Sequence, residues 1–289
     1  MIWLIGKSGL LGQEIAQMLE QEKLLYIGTG HEVDITDINE LKKFADEKTF
    51  SWIINCAAYT AVDNAENDFE NACKLNHHAL TNLALIAKEK NAKVIHISTD
   101  YVFDGKKNNK YTEEDIPNPL NIYGKSKYAG ESELMKWNKS FILRTSWLFG
   151  HKKNNFVKTM LNLFNSKEEL KIINDQFGLP TYTKDLAQLI KIILHKNYSQ
   201  YGIFHFCNSG EKISWFDFAS EIYLQARNIG LINKNIKITP IPTIDYKQTA
   251  LRPHNSCLST KKIELLLQIS IPSWQNALER FFEIETSLQ

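Results

Sequence analysis

Short apolar runs alternate with amphipathic stretches through the first half of the chain, beginning with Ile2-Trp3-Leu4-Ile5. This rhythm predicts strands over residues 2–5, 24–28, 52–55, 93–98 and 141–144, with helices over 10–20, 38–46, 69–90 and 123–137 between them. Strands that are apolar on both faces suit a buried parallel sheet, and strict strand-helix alternation places helices on both sides of it. Beyond about residue 150 the rhythm loosens. Helices are predicted over 156–164, 183–195 and 215–225, and strands over 170–173 and 203–206. A proline-bearing segment, 238–242, precedes two last helical patterns at 260–267 and 274–284. The expected fold class is therefore α/β: a doubly wound parallel sheet over residues 1–150, with a smaller mixed α/β domain mainly from residues 151–289. Some later segments are expected to return to the first domain. No repeat with a period of 20–50 residues is present.

Directly after the first predicted strand comes Gly6-Lys7-Ser8-Gly9-Leu10-Leu11-Gly12, which opens a helix. Gly6 permits a tight turn, Gly9 lets backbone approach a pyrophosphate at the helix N-terminus, and Gly12 allows close helix packing. Gly6-Lys7-Ser8 opens this turn rather than ending a GxxxxGK[ST] run, and Gly12 is followed by Gln13, so a triphosphate-cradling loop is not expected. A carboxylate ending the second strand would select NAD, but the segment there is Gly28-Thr29-Gly30-His31. Thr29 and His31 tolerate a 2′-phosphate while no arginine clamps it, so NADPH is only weakly favoured over NADH. Asp34 and Ile35 offer a contact near the adenine, although Asp34 also reads as a turn or capping carboxylate. The small residues after the third strand, Ala57 and Ala58, continue to Tyr59 and Thr60 and suit either cofactor lining or tight packing.

Of the eleven tyrosines, only Tyr123 has a lysine four positions on, Lys127, and the pair falls on a predicted helix. That spacing puts both side chains on one face, where an ammonium would favour the phenolate. Alone, the pair also describes a solvated helix face. Ser98-Thr99-Asp100, ending the fourth strand, gives it a context, because ligands of open parallel sheets bind at the strands' carboxyl ends.

The 289 residues carry 34 Lys+Arg against 33 Asp+Glu. A net charge of +1 gives no reason to expect nucleic acid or an acidic membrane surface as a partner. Cys56, Cys73, Cys207 and Cys257 lie far apart and outside any zinc-ligand spacing, and they read as free thiols of a reducing compartment. With no leader or membrane-length apolar run evident, a cytoplasmic location is expected.

Taken together, GKSGLLG, NCAAYTAVDNAE, HISTDYVFDG, NPLNIYGKSKYAGE, ILRTSW, INDQFGLPT and RPHNSCL resemble the dTDP-4-dehydrorhamnose reductases. These are extended short-chain dehydrogenases/reductases of Rossmann type, and the resemblance runs from residue 2 to about 260. It implies reduction of a 4-keto group on a dTDP-linked 6-deoxyhexose, giving dTDP-L-rhamnose for a cell-surface polysaccharide. Tyr123 would be the proton donor, Lys127 would hold the nicotinamide ribose, and Thr99 would hold the substrate oxygen. Gly9, Leu10, Leu11, Asp34, Ile35 and Ala58 through Thr60 would line the cofactor. Asp100 and Trp147 would touch the sugar nucleotide. Asn155, Asn174, Gln176 and Arg252 fall in later segments, where Arg252 suits a phosphate but equally a surface ion pair. Some members bind Mg2+ at a dimer interface, which points to Glu14 and leaves a homodimer open. The missing acid of the second strand departs from members with Asp there. The same residues also fit a reductase or epimerase of another nucleotide-linked keto-sugar, or a non-catalytic NADP-binding regulatory subunit of this fold.

Overall fold

In the computed structural model, which describes residues 1–287, the first half alternates as follows. β1 (Ile2–Ile5), α1 (Leu10–Gln21), β2 (Tyr26–Thr29), α2 (Ile38–Ala45) and β3 (Trp52–Asn55) lead to two short helices, α3 (Val62–Ala65) and α4 (Phe69–Cys73). One π-helical turn, Lys74–His78, joins α4 to α5 (Ala79–Glu89). β4 (Lys93–Thr99), α6 (Ile122–Leu134) and β5 (Ser140–Thr145) complete this half.

The second half contains β6 (Leu148–Phe149), α7 (Phe156–Ser166), β7 (Glu169–Ile173), β8 (Phe177–Gly178), β9 (Thr181–Tyr182) and α8 (Thr183–Lys196). After these come β10 (Gly202–His205), β11 (Ile213–Ser214), α9 (Trp215–Asn228), β12 (Lys237–Ile241), α10 (Lys261–Leu267) and α11 (Trp274–Ser287). The proline-bearing segment is thus a strand, β12. Pro240 is tolerated because β12 pairs only with β7, in a two-stranded sheet with free edges.

The main sheet has the order β2-β1-β3-β4-β5-β10, parallel throughout. Alternate residues of its strands divide between two cores, as the period of two requires. Ile2, Leu4, Ile54 and Ile95 face α1 and α8, with Leu11, Ile15, Leu186 and Ile190. Trp3, Ile5, Ile53 and Val94 face α2 and α5, with Leu41, Leu80, Leu83 and Ile86. A third core, including Phe149, Val157, Phe164, Phe218 and Phe281, unites α7, α9 and α11. The strand order reverses at β1, so the carboxyl ends of β1 and β3 flank a crevice, the place where doubly wound sheets take ligands.

Candidate active site

At that crevice a cleft of about 820 Å³ runs from the glycine turn, past the ends of β3, β4 and β5, to Trp215. Gly6, Gly9, Leu10 and Leu11 line it. Gly6 has φ +77°, and a Cβ there would lie 2.7 Å from the Ala57 nitrogen. Gly12 does not line the cleft; a Cβ on it would come within 2.1 Å of the Gly6 carbonyl, so its bareness lets α1 start against the turn. No side chain caps α1 and no acidic residue stands in its first turn. The free N–H groups at this helix start therefore fit a pyrophosphate.

The tip of β2 differs from the sequence reading. Thr29 is 2% exposed and its hydroxyl accepts a hydrogen bond from the Trp3 indole at 2.9 Å. It faces the core, because strand alternation turns it away from the rim; Gly30 and His31 line the cleft instead. A carboxylate is present after all. Glu32 folds back to accept from the Gly30 N–H at 2.7 Å, and such backbone donors hold it below the ordinary carboxylate range. Asp34 and Ile35 line the next stretch, and Asp34 also accepts from the Thr36 N–H and hydroxyl at 2.8 and 2.7 Å.

Ala58 and Thr60 line the cleft, whereas Tyr59 does not. The Tyr59 backbone is gripped by Asn76, which accepts from its N–H at 2.8 Å and donates to its carbonyl at 3.0 Å. Asn76 lies in the π-helical turn, where the extra residue per turn re-aims a side chain. Its amide also donates to Ser126 on α6 at 3.0 Å, tying the Ala57–Thr60 loop to the helix that carries Tyr123 and Lys127.

Tyr123, Lys127, Thr99 and Asp100 share this cleft. Asn121 caps α6 by accepting from the Gly124 N–H at 2.7 Å, which fixes the first turn bearing Tyr123. Burial pushes the Tyr123 phenol up to about 12, Thr99 opposing and Asp100 adding to the rise. The expected lowering by Lys127 does not occur. The lysine nitrogen instead donates to the Ile97 carbonyl at 2.7 Å and stands 3.1 Å from His96, and burial lowers it to about 8. Thr99 accepts from the Tyr101 N–H at 3.2 Å and donates to Asp100 at 3.1 Å. Burial raises the Asp100 carboxyl to about 7 against the Ser256 and Thr99 hydroxyls. Beneath them, Glu131 of α6 and Arg144 of β5 form a fully buried bidentate pair at 2.6 and 2.9 Å, with the Ser98 hydroxyl donating to Glu131.

At the far end, Trp147 has φ +48° and stacks on Trp215 with centroids 3.5 Å apart. A Cβ on Gly178 would lie 2.4 Å from its ring, so the indole is wedged between two walls. Asn155 does not line the cleft: its side chain caps α7, and Asn154 lines the cleft instead. Asn174 and Gln176 are likewise absent from the lining; the Gln176 amide donates to Thr243 at 3.1 Å. Arg252 also stands outside, paired with Asp63 at 2.5 Å, where it holds that carboxyl at about 2. The sequence reading missed His96, Tyr101, Asn154 and Trp215. Tyr101 packs edge-on against Tyr123 at 5.9 Å. Trp215 starts a helix far along the chain, and nothing local marks it.

Glu14, to which the resemblance points for Mg2+, has its Oε2 buried without a hydrogen-bond partner. It is buried, with Lys184 and Lys152 as the charges acting on it. Among the described residues no group of three or more His, Cys, Asp or Glu could hold a metal ion, and no helix is long and apolar enough to cross a membrane.

A parallel sheet with a glycine turn at its switch point and a Tyr-x-x-x-Lys helix facing it defines a nicotinamide-dependent oxidoreductase of Rossmann type. The family model described as RmlD substrate binding domain matches residues 1–287. The dTDP-4-dehydrorhamnose reductase of Aggregatibacter actinomycetemcomitans is 41% identical over 95% of each chain, and that of Escherichia coli K12 is 38% identical over 96% of each. A crystal structure of the Bacillus anthracis dTDP-4-dehydrorhamnose reductase in complex with NADP superimposes with a TM-score of 0.91, at 38% identity over 98% of each chain. The chain belongs to the dTDP-4-dehydrorhamnose reductase family.

Proposed function

We propose that this chain reduces the 4-keto group of dTDP-4-dehydro-6-deoxy-L-mannose to give dTDP-L-rhamnose. The observation that carries the proposal is the convergence of the glycine turn, Thr99, Tyr123 and Lys127 on one cleft in a member of this family. Reduced nicotinamide supplies the hydride when bound. Tyr123 gives its proton to the oxygen developing charge at C4, and the raised phenol keeps that proton available at neutral pH. Thr99, oriented by Asp100 and the Tyr101 N–H, holds the same oxygen. Lys127 holds the ribose and supplies charge, while Asp100, Trp147 and Trp215 wall the sugar-nucleotide end. Asn155 and Arg252 act from behind, fixing α7 and the wall at Tyr101.

Residues 1–150 hold the cofactor and 151–289 mainly the substrate, with α8 and β10 returning to the main sheet. Both nicotinamide donors serve, NADPH modestly favoured, because Lys7 and His31 stand near Glu32 and offset its charge. Magnesium has no assigned part. The four unpaired cysteines fit a cytoplasmic enzyme.

Purified protein, given this keto-sugar nucleotide with NADPH or NADH, should consume nicotinamide absorbance. Tyr123→Phe should still bind NADPH but turn over ~100–10,000-fold more slowly. A folded wild type without turnover, or a Tyr123→Phe variant at the wild-type rate, contradicts the proposal.

A further inference from the structure

His96 lies on β4, fully buried beneath the cleft, and none of the steps above uses it. Its surroundings fix where its proton must be. The Asn55 side-chain oxygen accepts from the Ala57 N–H at 3.0 Å, which settles the orientation of the amide. The Asn55 nitrogen then faces His96 Nδ1 at 3.1 Å and can only donate to it. Burial keeps the imidazole neutral, pushing its pKa well below the ordinary histidine value. A neutral ring that accepts at Nδ1 carries its single proton on Nε2. That N–H points at the Lys127 nitrogen, 3.1 Å away.

Two donors cannot bond each other. An ammonium has three hydrogens and no lone pair, so the contact is a hydrogen bond only when Lys127 is a neutral amine. In that form Nζ accepts from His96 Nε2–H and donates to the Ile97 carbonyl at 2.7 Å. We infer that His96 is a positioning residue: held as the Nε2–H tautomer by Asn55, it docks Lys127 as the neutral amine, and protonation of Lys127 releases it toward the cleft. Proton state and orientation of Lys127 are thereby coupled. The other groups acting on this lysine are the Cys56 thiol after β3 and Glu131 on α6; Cys56 is half-buried and desolvation raises it to about 12, and Glu131 is bonded to Arg144 of β5. Both favour the ammonium and neither supplies an N–H aimed at Nζ, so the lowering of the midpoint comes from burial and His96.

The relevance to turnover rests on the assignment of Lys127 to the cofactor, but the test needs neither substrate nor cofactor. Long-range 1H–15N correlation of labelled wild-type protein reads the His96 tautomer directly. Between about pH 6 and 9 it should show a protonated Nε2 and a bare Nδ1. The 13Cε resonance of Lys127 should titrate near pH 8 in wild type. In His96→Leu the midpoint should rise by about one pH unit, the size of one buried hydrogen bond to the neutral form. His96→Gln, which restores an N–H donor, should stay closer to wild type. A protonated Nδ1, or a Lys127 midpoint that is unchanged or lower in His96→Leu, overturns the inference. If His96→Leu does not fold, the wild-type tautomer and the Gln variant decide it. Absent turnover with the expected tautomer and midpoints would overturn the functional reading alone.

Discussion

Glu32 shows how much one side chain's rotamer can conceal. The sequence puts Thr29 at the strand tip and no acid beside it, which argues against selection for NADH. In the folded chain Thr29 is spent on the Trp3 indole, and Glu32 turns back onto the Gly30 N–H next to cleft-lining Gly30 and His31. A carboxylate there accepts from ribose hydroxyls and repels a 2′-phosphate. Glu32→Gln should therefore raise the ratio of kcat/KM for NADPH over NADH by up to about fivefold, one charge contact's worth at an exposed site. Thr29→Asp should not tune that ratio, because it would place its carboxylate against Trp3 in the core. An unchanged ratio in Glu32→Gln removes this residue from donor choice. Tyr123 and Lys127 were legible because four-residue spacing on a helix guarantees a shared face. The partners of Lys127 were not, since His96 and Ile97 come from a strand whose register no local pattern announces.

At the level of elements, α6 is fixed at three depths: the Asn121 cap, the Asn76–Ser126 hydrogen bond and the Glu131–Arg144 pair. The last is fully buried, so its contribution depends on both partners being present. Arg144→Met would strand the Glu131 carboxylate without its guanidinium and should cost about 3–5 kcal/mol in denaturant unfolding. The double variant Arg144→Met with Glu131→Leu should recover much of that loss, because no uncompensated charge remains. A double variant less stable than the single one would contradict this, because the stranded carboxylate would then not be the source of the loss. Most helices and central strands were readable from their periodicity. The π-helical turn at Lys74–His78 was not; a Cβ on Gly130 would lie 1.9 Å from the Asn76 carbonyl, so α6 packs directly against this turn, a contact that no local pattern announces.

Across the whole molecule, the division of labour follows from sheet topology. The switch at β1 puts the glycine turn beside the ends of β3 and β4, and β5 leads directly to Trp147 and the second half's aromatic core. That one rim was legible from the strand-helix alternation, because a parallel sheet puts the carboxyl ends of all its strands on one side. Its far wall was not, because Trp215 and Gly178 come from segments with weak periodicity and meet Trp147 only through tertiary packing. Delivery of a hydride from this rim to one sugar carbon is checked by supplying NADPH deuterated at the transferring position and locating the label in the product by NMR. Wild type should give one deuterium at C4 of dTDP-L-rhamnose, with label transfer largely lost in Tyr123→Phe. Deuterium at another carbon, or product formed without label, would contradict it.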